Sequence, residues 1–463
     1  MSPCRGRAEI LKTWKIKKGH DFRIRARHPW VFSNELLDSP KGILPGELIE
    51  LRDIQDHFLA RGYGNPHSLI SFRAMSFNQK EEFNMQPQYL AQRLLQAWQF
   101  RHRSGFRKSF RICYSEADQM PGLILDRYVF EATSRELYQV FSYQLLTSGM
   151  DTAFKQNKNW EQIFKLLVEA TNSESVSSID WAHTLLLQRN DVNIRKLEGL
   201  QVEPPEILKT AGAAELAFEL TAGLTNVDLT SVNIQIQNVI KPSENVVFNV
   251  NLVEGQKTGF FLDQTFNMRL VIEQLERQKE FLKSKKIRIL DLCCYMGQWS
   301  SQLVANLKSW NFDCEVHLVD VSEMALEKAR QNLAVYGVKV FSYKKDVLSI
   351  SEIPEFASLK FDVVISDPPA FVKNKKDLHP GLAAYTKLNT QAFKLCNSGA
   401  LIASCTCSGA VQLEDFKEAL RKSILKSGVN ARCLAYGGQG FDHPNLMSFP
   451  EGYYLKMVLH QID

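Results

Sequence analysis

The feature that most constrains this chain is an apolar strand running straight into an acid and two prolines. The stretch reads Phe361-Asp362-Val363-Val364-Ile365-Ser366-Asp367-Pro368-Pro369-Ala370-Phe371. Its β-branched run suits a strand buried on both faces of a parallel sheet. The prolines end that strand and stiffen the turn, since proline fixes φ and brings no N–H to a ladder. Asp367 is thereby held at the C-terminal edge of a strand, where open α/β sheets bind ligands. About forty residues on, Ser404-Cys405-Thr406-Cys407-Ser408-Gly409 closes another apolar strand and sets thiols at a similar edge.

The pattern around these strands is regular. Helix at Phe266–Lys283, strand at Arg288–Leu292, helix at Trp299–Leu307, strand at Glu315–Val319, helix at Met324–Tyr336 and strand at Val340–Tyr343 lead up to Phe361–Ser366. A helix near Tyr385–Leu395, a strand at Ala400–Ser404, a helix at Leu413–Ser423 and late strands near Cys433–Ala435 and Tyr453–Val458 follow. Such alternation predicts an α/β fold with a parallel, doubly wound sheet over residues 266–463. A chain of 463 residues exceeds one core and requires further domains. Residues 9–80 read as short strands at Thr13–Ile16, Trp30–Ser33, Glu47–Arg52, Leu59–Tyr63 and Leu69–Ala74, punctuated by Gly and Pro, which predicts a small β-barrel. Residues 82–200 read as a small α+β domain: helices over Pro87–Arg107, Gln139–Lys155 and Trp160–Ala170, strands at Leu123 and Leu185–Leu187, and a short helix at Asp191–Leu197. Residues 201–265 read as a linker leading into a hairpin near Val246–Leu252.

The absence of a long apolar run excludes a spanning helix, and the N-terminus has no secretory core segment. Nine cysteines without paired spacing fit reduced thiols in the cytoplasm, and no metal is expected. Between Arg5 and Arg27 nine basic residues face two acids, a local excess that attracts phosphate backbones.

Acids recur at the ends of consecutive strands: Asp291, Asp320, Asp346 and Asp367. The first opens Asp291-Leu292-Cys293-Cys294-Tyr295-Met296-Gly297-Gln298, a strand-to-helix loop in which Gly297 lets backbone approach a ligand. With one glycine, the loop is a poor pyrophosphate cradle. Asp320 suits the hydroxyls of a ribose and Asp346 an adenine amino group. Four carboxylates would repel a pyrophosphate but suit a sulfonium, an ammonium and a ribose. S-adenosylmethionine carries all three.

Several motifs together resemble the bacterial large-subunit ribosomal RNA cytosine-5 methyltransferases of the RlmI-like family. They are Arg27-His28-Pro29-Trp30-Val31-Phe32-Ser33, Glu116-Ala117-Asp118-Gln119-Met120-Pro121-Gly122-Leu123, Asp126-Arg127-Tyr128, Arg195–Leu200, Glu254–Gln264, Asp442-His443-Pro444 and Phe449–Lys456. The resemblance implies a PUA-type RNA-binding barrel, then a middle domain, then a Rossmann-type methyltransferase domain. It also implies that Glu254–Gln264 is a hairpin covering S-adenosylmethionine, with Lys257, Thr258, Gly259 and Gln264 joining Tyr295, Gly297 and the four acids in the pocket. Where the family usually reads Asp-Gln-Arg and Tyr-Thr-Gly-Gly, this chain has Asp263-Gln264-Thr265 and Tyr295-Met296-Gly297-Gln298.

Cys407 matches the family's Ser-Cys-Ser-Gly cysteine. A thiolate added to carbon 6 of cytosine makes carbon 5 nucleophilic enough to accept a methyl group. Cys407 is the expected nucleophile, Cys405 a packed thiol on the same side of the strand, and Asp367 the partner of the base. Phe371 and Tyr295 are candidates to stack on a base taken out of its helix. Lys373, with Arg25, Arg27, His28 and Trp30, is expected to face large-subunit ribosomal RNA. Two alternatives remain: methylation of another RNA base such as guanine, or a non-catalytic RNA-binding ribosome-assembly protein with a residual cofactor pocket. No membrane partner is expected, and a homodimer is one open assembly.

Overall fold

The computed structural model describes residues 11–132, 135–210, 228–282 and 286–463. Arg5 and Arg7 of the N-terminal basic run lie outside them. Two compact units form: residues 1–227 with 252–259 and 444–450, and residues 228–251 with 260–443 and 451–463. The first unit thus takes in both the barrel and the expected middle domain, and the expected 201–265 linker is divided between the units.

In the first unit, strands β1 (Lys12–Lys15), β2 (Trp30–Phe32), β3 (Leu48–Arg52), β4 (Phe58–Gly64) and β5 (Ile70–Ser76) form a sheet in the order β1-β3-β4-β5-β2. Trp14, Ile49, Leu51 and Phe72 fill its core. The α+β part follows, with helix α1 (Pro87–Arg103) and strands β6 (Phe110–Tyr114), β7 (Leu123–Glu131) and β8 (Leu137–Leu145). Helices α2 (Ser148–Lys155) and α3 (Asn159–Ser173) then precede β9 (Thr184–Gln188) and β10 (Glu206–Lys209). The sequence pattern placed a helix over Gln139–Lys155. The structure corrects this: its first half is β8, paired with β7 along nine residues, and only Ser148 onward is helical. Val140 to Leu145 are all buried, so the segment carries no one-sided periodicity and the ladder decides its conformation.

Two family-like motifs of this unit serve a buried ion-pair network. Arg73 on β5 lies 3.0 Å from Glu116 and 2.7 Å from Glu198. Glu116 also accepts the Trp30 indole N–H at 2.7 Å, and Glu198 accepts from Ser68 at 2.7 Å and Asn65 at 2.8 Å. The charges are buried but paired and hydrogen-bonded, as buried charges must be.

The second unit opens with a hairpin of β11 (Val232–Gln237) and β12 (Asn245–Val250). Residues 252–264 form turns, not the expected hairpin, because Lys257 (φ 56°) and Gly259 (φ 128°) take left-handed backbone that breaks a strand. Helices α4 (Thr265–Leu282), α5 (Gln298–Ser309), α6 (Glu323–Ala334), α7 (Leu378–Lys394) and α8 (Leu413–Ser427) flank a sheet. Its strands are β13 (Ile287–Leu292), β14 (Cys314–Asp320), β15 (Lys339–Lys344), β16 (Phe361–Ser366), β17 (Cys396–Thr406), β18 (Ala431–Gly438) and β19 (Lys456–Ile462). Their order is β15-β14-β13-β16-β17-β19-β18. The first five are parallel, while β19 runs antiparallel to both β17 and β18, so the sheet is mixed rather than wholly parallel. Alternate residues feed two separate cores: Ile289, Val363, Leu401 and Cys405 on one face, Leu290, Val364, Ile402 and Val458 on the other. The strand order reverses between β13 and β16, the switch point at which such sheets bind ligands beyond their carboxyl ends.

Candidate active site

The loop after β13 is tightly coiled. Cys293, Tyr295 and Gly297 all have positive φ, at 62°, 47° and 79°. Such backbone costs on the order of 1–3 kcal/mol per non-glycine residue and persists where surrounding bonds hold it. Here the Cys293 N–H donates to Val319 O at 2.9 Å and the Tyr295 N–H to Asp320 Oδ2 at 3.0 Å. The Asn332 amide on α6 donates to Met296 O at 3.0 Å. Gly297 is required twice over: for its left-handed φ, and because a Cβ there would lie 3.1 Å from the Ala329 Cβ on α6. Its close approach is therefore to a helix, not only to a ligand.

The four strand-end acids gather around this loop. The half-buried Cys293 thiol is pushed up by desolvation and then by Asp320, Asp367, Asp291 and Asp346 together. Asp291 is fully buried; its Oδ2 accepts the Ser300 hydroxyl at 2.6 Å, while Oδ1 has no hydrogen-bond partner among the described residues. Burial, aided by Asp367 and Asp320, raises its pKa to about 7. Asp320 also accepts the Ser322 N–H at 2.9 Å, and exposed Asp346 caps the Leu348 N–H at 2.8 Å. Asp367 Oδ2 accepts Gln264 Nε2 at 2.7 Å and the Trp299 indole at 3.0 Å. An acidic, partly sealed loop with an unfilled carboxylate oxygen fits a ligand bearing cationic and hydroxyl groups.

Cys407 lies one residue past the end of β17, half-buried, with Sγ 3.9 Å from Pro368 O. The thiol is thus lodged against the backbone that directly follows Asp367. Cys405, in contrast, is fully buried in the core, and burial drives its pKa well up. The turn holding Cys407 is braced by residues that sequence reasoning missed. The buried Tyr385 hydroxyl on α7 meets Ser408 Oγ at 2.9 Å, accepts from Thr406 Oγ1 at 2.7 Å and accepts the Phe371 N–H at 3.4 Å. One phenol therefore ties both neighbours of Cys407 to the loop after Asp-Pro-Pro. Lys456, paired with Thr406 in the sheet, is buried, and its ammonium donates to Ser408 O and Tyr454 O, each at 3.3 Å. Burial lowers its pKa to about 8, against an opposing pull from Cys407. A buried lysine in the terminal Tyr453-Tyr454-Leu455-Lys456 run was the available signal.

Other expected residues lie elsewhere or have other partners. Phe371 packs on Tyr385 at 4.8 Å, and Tyr295 meets Phe261 edge-on at 5.2 Å. Lys373 is exposed. Lys257, Thr258 and Gly259 belong to the first unit, where the Thr258 hydroxyl bonds Asp126 and Tyr128 and its carbonyl accepts from Ser142. Arg25 pairs with Asp21 and Asp53 at 2.5 Å each; His28 is buried and accepts the Trp30 N–H at 3.1 Å; Arg27 is exposed. Among the described residues no cluster could hold a metal, and no helix is long and apolar enough to cross a membrane.

Residues 15–77 match the family described as PUA-like domain, and residues 283–440 match the family described as Methyltransferase domain. This chain joins a PUA-like domain to a methyltransferase domain. It is similar along nearly its whole length to curated proteins named Ribosomal RNA large subunit methyltransferase I. The protein from Shewanella frigidimarina is 27% identical over 458 residues, covering 97% of this chain and 98% of its own. The one from Photobacterium profundum is 29% identical over 450 residues, covering 95% and 97%. Among solved structures, a Streptococcus mutans protein described as a candidate SAM-dependent methyltransferase aligns with a TM-score of 0.67 at 15% identity, covering 97% of this chain and all of its own. A candidate methyltransferase complexed with SAH aligns with a TM-score of 0.68 at 15% identity, again covering 97% of this chain. These two share the fold of the PUA-like and methyltransferase domains together.

Proposed function

We propose that this chain methylates carbon 5 of a cytosine in large-subunit ribosomal RNA through a covalent adduct on Cys407. The observation that carries the reading is the half-buried Cys407 thiol seated against the backbone of Asp367-Pro368-Pro369. The naming of the full-length relatives supports an rRNA substrate. S-adenosylmethionine, held by the loop Cys293–Gly297 with Asp291, Asp320 and Asp346, would supply the methyl group.

The residues divide the work as follows. The Cys407 thiolate forms a bond to carbon 6, and the carbon 5–carbon 6 π pair becomes available at carbon 5. That pair would take up the methyl group, whose bond to the donor sulfur would break with its electrons left on sulfur, so that S-adenosylhomocysteine leaves as a neutral thioether. The carbon 5 proton then passes to solvent, and its electron pair re-forms the carbon 5–carbon 6 double bond as the carbon 6–sulfur bond breaks and the Cys407 thiolate leaves. Lys456 holds a positive charge beside Cys407 and favours the thiolate in both its attacking and leaving roles. Asp367, fixed by Gln264 and Trp299, accepts the cytosine amino group and orients the ring. Tyr385 keeps the thiol and the Asp-Pro-Pro loop in register.

Tritiated methyl transfer to RNA from cells lacking this gene, followed by nucleoside analysis, tests the reading. Cys407→Ala should lower transfer at least about 10³-fold while S-adenosylhomocysteine still binds. Cys405→Ala should retain transfer. A methylated guanine, or full activity in Cys407→Ala, would refute the adduct. Cofactor binding without transfer to any RNA would refute the enzyme.

A further inference from the structure

In the first unit, outside the candidate active site, a cavity of about 640 Å³ opens beside α1, β7 and the end of α3. Four basic side chains line it, His102, Arg107, Lys108 and Arg127, and among the described residues none that lines it is acidic. Arg127 belongs to the Asp126-Arg127-Tyr128 motif and is almost fully buried. Its guanidinium donates to Gln139 Oε1 at 2.7 Å, Arg107 O at 2.9 Å and Ser177 Oγ at 3.1 Å, and lies over the Trp98 ring at 4.7 Å. It makes no ion pair with a carboxylate among the described residues. Buried cations are ordinarily paired, so this arrangement leaves positive charge uncompensated. Lys108 lies near enough to feel it: burial and then Arg127 lower its pKa, with Glu131 opposing, while burial and then Arg107 push His102 toward its neutral form. Like charges brought together at a cavity wall are relieved by an anion. A second feature refines the ligand. Asn172, on the same wall, has a buried side-chain oxygen that accepts no hydrogen bond from the described residues. It calls for a donor, and next to a phosphate in RNA the donor is a ribose hydroxyl.

We propose that this cavity binds a phosphate and its adjoining ribose from an RNA strand, with Arg107, Lys108 and Arg127 facing the phosphate and Asn172 accepting the 2′-hydroxyl. The inference rests on the RNA half of the function proposed above and not on its methyl-transfer half.

The test is fluorescence anisotropy of a labelled single-stranded oligoribonucleotide of about twelve residues, without methyl donor, across a range of salt concentrations. Losing the neutralisation of one phosphate should weaken binding roughly fourfold at 0.15 M salt and flatten the log–log salt slope by about 0.7. The Arg107→Gln/Lys108→Gln variant should show this weakening while its thermal unfolding confirms that it remains folded. Asn172→Leu should reduce the preference for RNA over DNA of the same sequence. Unchanged affinity and slope in the double variant would overturn the proposal. So would loss of inorganic phosphate or ribose 5-phosphate binding with RNA affinity unchanged. Methyl transfer by wild type with no effect of these variants on RNA binding would leave the proposed function standing and this site refuted.

Discussion

Replacing Asp291 by Asn should change how the stability of the second unit depends on pH. Burial holds the Asp291 carboxyl protonated up to about pH 7, whereas an ordinary aspartate titrates near 3.8. Between those values the folded chain binds a proton that the unfolded chain has released. The stabilising contribution is therefore complete below about pH 4 and lost as pH rises through 7. The full span is about 3 units, or roughly 4 kcal/mol at about 1.4 kcal/mol per unit. From pH 5 to pH 8 about 2 of those units are crossed, roughly 3 kcal/mol. Asn cannot ionise, and its oxygen can still accept the Ser300 hydroxyl that Asp291 accepts at 2.6 Å. Wild type should thus lose roughly 3 kcal/mol relative to Asp291→Asn between pH 5 and pH 8. Hydrogen exchange of the peptide carrying Ile287–Leu292, read by mass spectrometry, reports the opening free energy of β13 at each pH without requiring the two units to unfold together. A flat difference between the two proteins would show that Asp291 ionises as in water, and the argument from its burial would fail. Saturating S-adenosylmethionine should flatten the wild-type curve, since a bound cation favours the carboxylate.

Two further outcomes can be checked. Lys456→Met should raise the pH at which iodoacetamide alkylates Cys407 by about one unit or more, and Lys456→Arg should restore it; an unchanged alkylation profile would remove Lys456 from thiolate stabilisation. Glu198→Leu should leave the buried Arg73 with one acid instead of two and destabilise the first unit by about 3 kcal/mol, measured as slower refolding or earlier urea unfolding of peptides from β5. A change within a few tenths of a kcal/mol would show that Glu116 alone satisfies Arg73.

Most strands were legible because local composition specified them. The five barrel strands fall within two residues of where β-branched runs and Gly-Pro punctuation placed them, and Phe361–Ser366 matches at both ends. β8 was not legible: a strand buried on both faces has no alternation to display. Helix α7 begins two turns earlier than expected, at Leu378, because Gly381 lies where a Cβ would strike the Val372 side chain and the Phe371 carbonyl, so tertiary packing on the Asp-Pro-Pro loop sets its start.

The candidate site divides along the same line. Asp291, Asp320, Asp346 and Asp367 could be identified from the chain because each lies at or just past the C-terminal end of a strand, and strand ends of a parallel sheet converge by topology. The motif Ser-Cys-Thr-Cys-Ser-Gly named two thiols as candidates, and its family likeness favoured Cys407. Burial then separated them physically, one sealed in the core and one half-open at the strand's end. Only the folded sheet brings Lys456 opposite Thr406, fifty positions earlier in the chain, and only packing sets the Tyr385 hydroxyl among Thr406, Ser408 and Phe371. Local pattern encodes what one element can bury; partnership across twenty or fifty residues depends on which elements the cores press together, and no periodicity along the chain records that.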